Sequence, residues 1–209
     1  MDLIKITHDY SRSLMELQKD IWIRKKDLNV FESETIPAIQ YCSVNYLVSV
    51  MEFYKIFIPT LDIESTYLNI GSGANFLEHG ARQAGFLIKC ADIVQTNPIF
   101  DPLRRSIGVP LDFEAGLYSN QMNIAGCGER YDYLMFIRYI PWEHNFDPVM
   151  FTSFMKSGRK YSDKAIIQLV KGSYNEIRQF FKENNHIIES RYDVGNTDNY
   201  TIDLNKLGE

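Results

Sequence analysis

Apolar residues follow two different periodicities along the chain. In the stretches 11–29 and 36–57 they recur about every 3.6 residues, which is typical of amphipathic helices. Pro59 favours an end to the second helix, and beyond it short apolar runs alternate with helix-like segments. The sequence therefore predicts a helical N-terminal cap over residues 1–60 and a core over residues 61–209, joined in one compact unit.

Seven apolar runs in the core predict β-strands: TYLNI, FLIKCADI, GVPLDF, YDYLMFIRYI, KAIIQLV, HIIESRY and YTIDL. Because helix-like segments separate most of them, we expect a mostly parallel sheet with helices on both faces. Only the turn-rich segment DVGNTDN separates the last two runs, and it is too short for a crossover helix. The sequence therefore predicts an α/β fold with a seven-stranded sheet whose last strand is antiparallel.

Composition and charge narrow the possible partners. With 45% hydrophobic and 13% aromatic residues, the chain can bury the core of one sizeable domain. A formal net charge of -5 disfavours a broad surface for nucleic-acid phosphates. We therefore expect nucleic acid to be an unlikely partner.

The cysteines and the apolar segments indicate where the protein resides. Its three cysteines are widely spaced, which disfavours structural zinc and a disulfide framework, and we expect no metal. The N-terminus lacks the order of a signal peptide, and Glu52 and Lys55 interrupt the most apolar stretch. The sequence therefore predicts a soluble, cytoplasmic protein without a membrane span.

A glycine turn follows the first strand of the core. Gly71-Ser72-Gly73 lets backbone N–H groups come close to a ligand, because glycine tolerates positive φ and has no Cβ. Asp92 ends the next apolar run, where a carboxylate can accept hydrogen bonds from both ribose hydroxyls of a nucleoside. Phe76 stands at the third glycine of the nicotinamide fingerprint and disfavours a pyrophosphate. A nucleoside that carries an amino acid suits this turn better.

In the order and spacing of these motifs the chain resembles the class I S-adenosylmethionine-dependent methyltransferases. YLNIGSGAN is similar to their glycine motif, CADI to the second-strand acid, PLDFE to the third-strand acid, and YDYLMFIRYIPWEH to the fourth strand and its loop. The resemblance covers residues 66–204 and implies a Rossmann-like fold with S-adenosylmethionine as cofactor. It also implies methyl transfer to an oxygen or nitrogen, and we expect a small-molecule acceptor.

The same resemblance implies the cofactor site. Gly71 and Gly73 would approach the methionine part of the cofactor and Asp92 its ribose, while Asp112 would meet the adenine amino group. Asn69 stands where the family often has an acid. The full set of implied cofactor residues is Asn69, Gly71, Ser72, Gly73, Asp92, Ile93, Asp112, Phe113 and Arg138.

Candidate acceptor residues follow the fourth strand. Methyl transfer depends mainly on positioning, and a base is needed only when the acceptor loses a proton. His144 is the candidate base because its ordinary pKa suits proton removal. Tyr139 and Trp142 are candidates to line the acceptor pocket. The stretch 139–142 lacks the polar side chain with which nucleic-acid amino methyltransferases clamp a flipped base, so nucleobase amines are disfavoured.

Two other functions stay open at this stage. The glycine turn and Asp92 also suit a nicotinamide-dependent oxidoreductase, although Phe76 disfavours it. Alternatively, the chain is a non-catalytic relative that keeps the fold for interactions. The site residues also have structural interpretations: the glycines could form only a strand-to-helix turn, Asp92 could be only a helix cap or turn residue, and His144 could be a structural loop residue.

Overall fold

The computed structural model of the chain describes residues 52–73, 75–92, 104–105, 108–118, 120–137 and 146–208. Within these ranges eight strands form one sheet. They are β1 (Thr66–Ile70), β2 (Leu87–Asp92), β3 (Phe113–Tyr118), β4 (Gln121–Ala125), β5 (Tyr133–Phe136), β6 (Lys164–Val170), β7 (Ile188–Val194) and β8 (Thr197–Asp203). Their spatial order is β4-β3-β2-β1-β5-β6-β8-β7.

The helices connect these strands. A helical segment at residues 52–57 continues into a 3-10 turn at Ile58–Thr60, and the longer helices are α1 (Phe76–Gln83), α2 (Pro148–Ser157) and α3 (Asn175–Glu183). Further 3-10 turns occur at Gly158–Lys160, Asn185–Ile187 and Leu204–Lys206. No helix in these ranges combines the length and apolar character that a membrane span needs.

Pairing within the sheet is parallel at its centre and antiparallel near both edges. β1 pairs in parallel with β2 and β5, β2 with β3, and β5 with β6. β8 runs antiparallel to both β6 and β7, and β4 runs antiparallel to β3. The α/β class, the mostly parallel sheet and the antiparallel last strand are therefore confirmed.

The sheet has one strand more than the sequence predicts, and its third strand begins later. The predicted strand GVPLDF ends at Phe113, whereas β3 begins there. Pro110 has no N–H to donate, which disfavours a paired strand before that point. The additional strand β4 alternates buried Met122 and Ile124 with exposed neighbours, a period-two pattern that a five-residue segment shows only weakly.

Apolar side chains cover the two faces of the sheet as two clusters. On one face, Leu68 and Leu134 pack with Phe154 of α2 and Phe181 of α3. On the other face, Tyr67, Ile88, Met135 and Ile166 pack with Leu77 and Ala81 of α1 and with Phe57, Ile58 and Leu61. Because side chains alternate along each strand, neighbouring strand residues join opposite clusters. The helices therefore lie on both faces, as predicted.

The end of the predicted N-terminal cap belongs to the second cluster. Phe57 is fully buried and Ile58 is 3% exposed, although both lie before residue 60. This segment therefore contributes to the core. The rest of the predicted cap, residues 1–51, lies outside the described ranges.

Candidate functional site

The turn between β1 and α1 has an unusual backbone. Gly71, Gly73 and Asn75 all have positive φ, at 72°, 60° and 59°. Glycine and asparagine are the residues that tolerate this region best, which explains their presence here. The Gly71 amide donates to the Ala91 carbonyl at 2.9 Å, so the turn is attached to β2.

Side chains within the turn support its shape. The Asn75 side-chain amide donates to the Val109 carbonyl at 2.8 Å, and its oxygen accepts from the Ser72 hydroxyl at 2.7 Å. Asn75 is fully buried. The Ser72 side chain therefore contributes to the structure of the turn.

The structure brings the glycine turn and Asp92 together. Asp92 lies at the carboxyl end of β2 and is 7% exposed. Its Oδ2 atom accepts a hydrogen bond of 2.8 Å from the Gly73 amide. Because β1 and β2 are parallel neighbours, the turn after one and the acid at the end of the other lie at the same edge of the sheet. A ribose-binding acid requires this placement.

Arg104 contacts both parts of this site, and sequence analysis missed it. Its Nη2 atom lies 2.8 Å from Asp92 Oδ2, and its Nε donates to the Gly73 carbonyl at 2.6 Å. Arg104 is 3% exposed, so its positive charge balances a carboxylate that is also buried. From the sequence one could expect only that a buried carboxylate at Asp92 needs a positively charged partner, and not which residue provides it.

Asp112 lies elsewhere than expected. It precedes β3, and its amide donates to the Cys90 carbonyl, so it lies beside the middle of β2. Its carboxylate accepts from the Cys90 amide at 2.8 Å and forms an ion pair with Arg82 of α1. Among the described residues, the hydrogen bonds of the Asp112 carboxylate include none to the glycine turn. Phe113 is half-buried and pairs with Ala91 at the start of β3.

A second polar pair joins the two elements on either side of the glycine turn, β1 and α1. Asn69 of β1 donates its side-chain N–H to Glu78 Oε1 of α1 at 2.6 Å. Asn69 is 2% exposed and Glu78 is fully buried. Burial raises the pKa of Glu78 from 4.5 to about 7. The other two oxygens, Asn69 Oδ1 and Glu78 Oε2, have no hydrogen-bond partner among the described residues. Glu78 was missed because an acid in a first helical turn usually faces solvent.

Five of the predicted site residues lie outside the described ranges. They are Ile93, Arg138, Tyr139, Trp142 and His144. The structure describes the residues on either side of the segment that contains the last four. β5 ends at Phe136, and the Asp147 carboxylate caps α2 by accepting from the Val149 amide at 2.8 Å. β5, which pairs with β1, therefore precedes this segment, and α2 follows it.

The site lies where the order of the strands reverses. From β1 the chain proceeds outward through β2 to β3, and β5 and β6 then follow on the other side of β1. In open α/β sheets, ligands bind at the carboxyl ends of the strands at such a reversal. The glycine turn and Asp92 both lie at this edge. Within the described ranges, no group of three or more His, Cys, Asp or Glu side chains could hold a metal ion.

Sequence comparison does not identify relatives of the chain. No protein-family model and no curated protein matches it. The fold and the site geometry therefore carry the assignment of function.

Solved structures do show similar folds. A TehB-like SAM-dependent methyltransferase from Corynebacterium glutamicum is 11% identical, and the match covers 76% of this chain and 95% of that one, with a TM-score of 0.51. An O-methyltransferase family 2 protein from Planctomyces limnophilus, in complex with apigenin, is 10% identical, with 84% and 62% covered and a TM-score of 0.54. The mitomycin 7-O-methyltransferase MmcR is 12% identical, with 75% and 54% covered and a TM-score of 0.51.

At these identities the similarity shows the fold. The chain has the Rossmann-like fold of class I S-adenosylmethionine-dependent methyltransferases, which confirms the resemblance that its motifs indicate. It spans between about half and two thirds of the length of the two O-methyltransferases.

Proposed function

We propose that the protein is an S-adenosylmethionine-dependent methyltransferase that transfers a methyl group to an oxygen or nitrogen of a small molecule. The observation that carries this proposal is the hydrogen bond of 2.8 Å between the Gly73 amide and Asp92 Oδ2. It joins the turn that would approach the amino-acid part of the cofactor to the acid that would bind the ribose. Both lie at the strand reversal where this fold accepts ligands.

The residues present suit this cofactor. Gly71 and Gly73 have positive φ and no Cβ, so the turn leaves room for a ligand near its backbone. Asp92 places its carboxylate at the same edge of the sheet as this turn. Phe76 begins α1 and is 4% exposed, so a bulky core residue stands where a pyrophosphate-binding turn has its third glycine. A nucleoside with an amino-acid tail requires no such glycine.

Asp112 receives a different role in this proposal. Its carboxylate is held by Arg82 and the Cys90 amide, and it lies beside the middle of β2. We therefore propose that Asp112 positions β2 and α1 and that it does not bind the adenine amino group. Phe113 remains the candidate for contact with the adenine ring, because it begins β3 next to the end of β2.

The acceptor would bind beside the loop after β5. Because β5 pairs in parallel with β1, the carboxyl end of β5 lies at the same edge of the sheet as the glycine turn. We propose that His144 acts as the base, that Tyr139 and Trp142 line the acceptor pocket, and that Ile93 and Arg138 border the cofactor. The cap, residues 1–60, would cover the acceptor. Nucleic acid and membrane are not the proposed partners, and the proposed location is the cytoplasm.

In the proposed reaction the main task of the chain is to position the cofactor and the acceptor. When bound, S-adenosylmethionine supplies a methyl group that its sulfonium already activates. The chain would hold the ribose through Asp92 and align the acceptor in the loop after β5. His144 would take a proton from the acceptor where one has to leave.

Titration with two cofactors tests the proposal. Calorimetry should show that wild-type protein binds S-adenosylmethionine and S-adenosylhomocysteine and does not bind the nicotinamide dinucleotide NAD. Binding of NAD alone would contradict the proposal and favour an oxidoreductase. Failure to bind any of the three would favour a non-catalytic interaction module.

A further inference from the structure

We propose that Asn69 and Glu78 form the anionic subsite for the ammonium group of the cofactor's methionine part. This inference rests on the proposed function and adds to it two residues with a defined task. The contact is made directly or through one water molecule. In this arrangement Glu78, on α1, supplies the negative charge that Asn69, on β1, cannot supply.

Two unpartnered oxygens point to a missing donor. The bond from Asn69 to Glu78 uses one oxygen of the carboxylate, and Asn69 Oδ1 and Glu78 Oε2 remain without a partner among the described residues. Both side chains are buried, so bulk water does not compensate for these bonds. A buried unpaired acceptor is costly, and native proteins rarely keep one without a reason. Here two such oxygens belong to side chains that are hydrogen-bonded to each other.

Their position matches the amino-acid end of the ligand. Asn69, in β1, precedes the glycine turn, and Glu78, in α1, follows it. The pair therefore joins the two elements that flank the segment that would approach the methionine part. The ammonium group of the methionine part carries only N–H donors. It requires acceptor oxygens, and this pair offers two.

The charges around Glu78 leave its carboxylate suited to a cation. Arg82, on the same helix, favours the charged form, whereas Asp92 of β2 disfavours it. Burial, and after it the charge of Glu78, raise the pKa of the Cys90 thiol in β2, so this thiol stays neutral. The Arg82 guanidinium is bound to Asp112. A ligand ammonium would therefore add the positive charge that this buried carboxylate lacks.

Three ligands show how much the ammonium group contributes to affinity. S-adenosylhomocysteine carries both an ammonium and a carboxylate, its decarboxylated form carries only the ammonium, and 5′-methylthioadenosine carries neither. In calorimetric titrations, Glu78→Gln should weaken binding of the first two by about tenfold or more, because a charge-assisted bond is lost. Its affinity for 5′-methylthioadenosine should stay within about twofold of wild type.

A matched control removes an acid from the first turn of another helix. Glu176 holds this position in α3 and is exposed, so Glu176→Gln should bind all three ligands like wild type. Unchanged binding of S-adenosylhomocysteine by Glu78→Gln would overturn the inference, and so would an equal loss of all three ligands. Wild-type protein that binds none of the ligands would overturn the proposed function and this inference with it.

The wild-type protein provides a second test that needs no variant. Between pH 8 and pH 6 the Glu78 carboxyl takes up a proton, because its pKa is about 7. The preference for S-adenosylhomocysteine over 5′-methylthioadenosine should therefore decrease as the pH falls through this range. A preference that stays constant would contradict the role of Glu78.

Discussion

Arg104 and Asp92 form a buried ion pair with 2.8 Å between Nη2 and Oδ2, and their side chains are only 3% and 9% exposed. Arg104 also donates to the Gly73 carbonyl, while Asp92 accepts from the Gly73 amide. Both polar groups of one turn residue are therefore bound by the two partners of the ion pair. The pair fixes the turn against the carboxyl end of β2 without any ligand.

Removing the positive partner of this pair should destabilise the fold. Arg104→Met keeps much of the side-chain volume but removes the positive charge that pairs with the buried Asp92 carboxylate, and we expect a loss of about 3 kcal/mol. Urea unfolding followed by circular dichroism measures it. Arg130 pairs with Asp163 at 2.9 Å, but both side chains are more than half exposed. Arg130→Met should therefore cost less than about 1 kcal/mol. Equal losses in the two variants would contradict the structural role of Arg104.

Gly158 is favoured by packing and not by backbone conformation. Its φ is -72°, which any residue adopts, but an added Cβ would lie 2.9 Å from Leu134 Cδ1 and 3.3 Å from Met122 Cε. Both neighbours are fully buried. Gly158→Ala should therefore lower the free energy of unfolding by about 1–3 kcal/mol. A Cβ at Gly128 would meet nothing within 4 Å, so Gly128→Ala is the matched control and should change stability little. A wild-type unfolding midpoint in Gly158→Ala would show that the core adapts.

The features that follow from local pattern were predictable. The meeting of Gly73 and Asp92 follows from two neighbouring parallel strands that end at one edge, and the motifs of the sequence predict both strands. The antiparallel last strand follows from the short turn before β8.

The features that depend on tertiary contacts were not predictable. Nothing local marks Arg104 as the partner of Asp92, and Glu78 resembles an ordinary exposed acid until α1 is packed on the sheet. The apolar pattern predicts a start of the third strand that is too early, because its apolar residues extend across Pro110, which cannot donate to a neighbouring strand. As a result, Asp112 lies before β3 and not at its carboxyl end.

Glu78 should make stability depend on pH. Its pKa is 4.5 when unfolded and about 7 when folded, so the folded protein binds the proton more tightly. The resulting stabilisation is complete below about pH 4.5 and is lost as the pH rises through about 7, which amounts to on the order of 3 kcal/mol. Because glutamine does not titrate, Glu78→Gln does not lose stability in this way as the pH rises. In urea unfolding without ligand, the stability of the variant relative to wild type should therefore increase between pH 5.5 and pH 8. A constant difference between the two would contradict the shifted pKa.

His144 should matter for turnover and not for cofactor binding. If it removes a proton from the acceptor, His144→Ala should lower kcat by about 10²-fold or more with little change in the affinity for S-adenosylmethionine. Formation of S-adenosylhomocysteine with an accepted substrate measures the rate. His186 is exposed, and His186→Ala serves as the control with wild-type turnover. A full rate in His144→Ala would assign His144 a structural role.

Binding of S-adenosylmethionine to variants of Asp92 tests the proposed function most directly. If the carboxylate accepts the ribose hydroxyls, Asp92→Ala should weaken binding by at least about tenfold, since hydrogen bonds to a charged group contribute on the order of 1.5–3 kcal/mol. Asp92→Asn should lose less, because an amide oxygen still accepts but carries no charge. Asp163→Ala removes an exposed acid and is the control, and circular dichroism confirms that all variants are folded. Calorimetric titration should rank the affinities as wild type and Asp163→Ala first, then Asp92→Asn, then Asp92→Ala. An Asp92→Ala protein that binds as tightly as wild type would contradict the account, because the cofactor would then not bind at the end of β2.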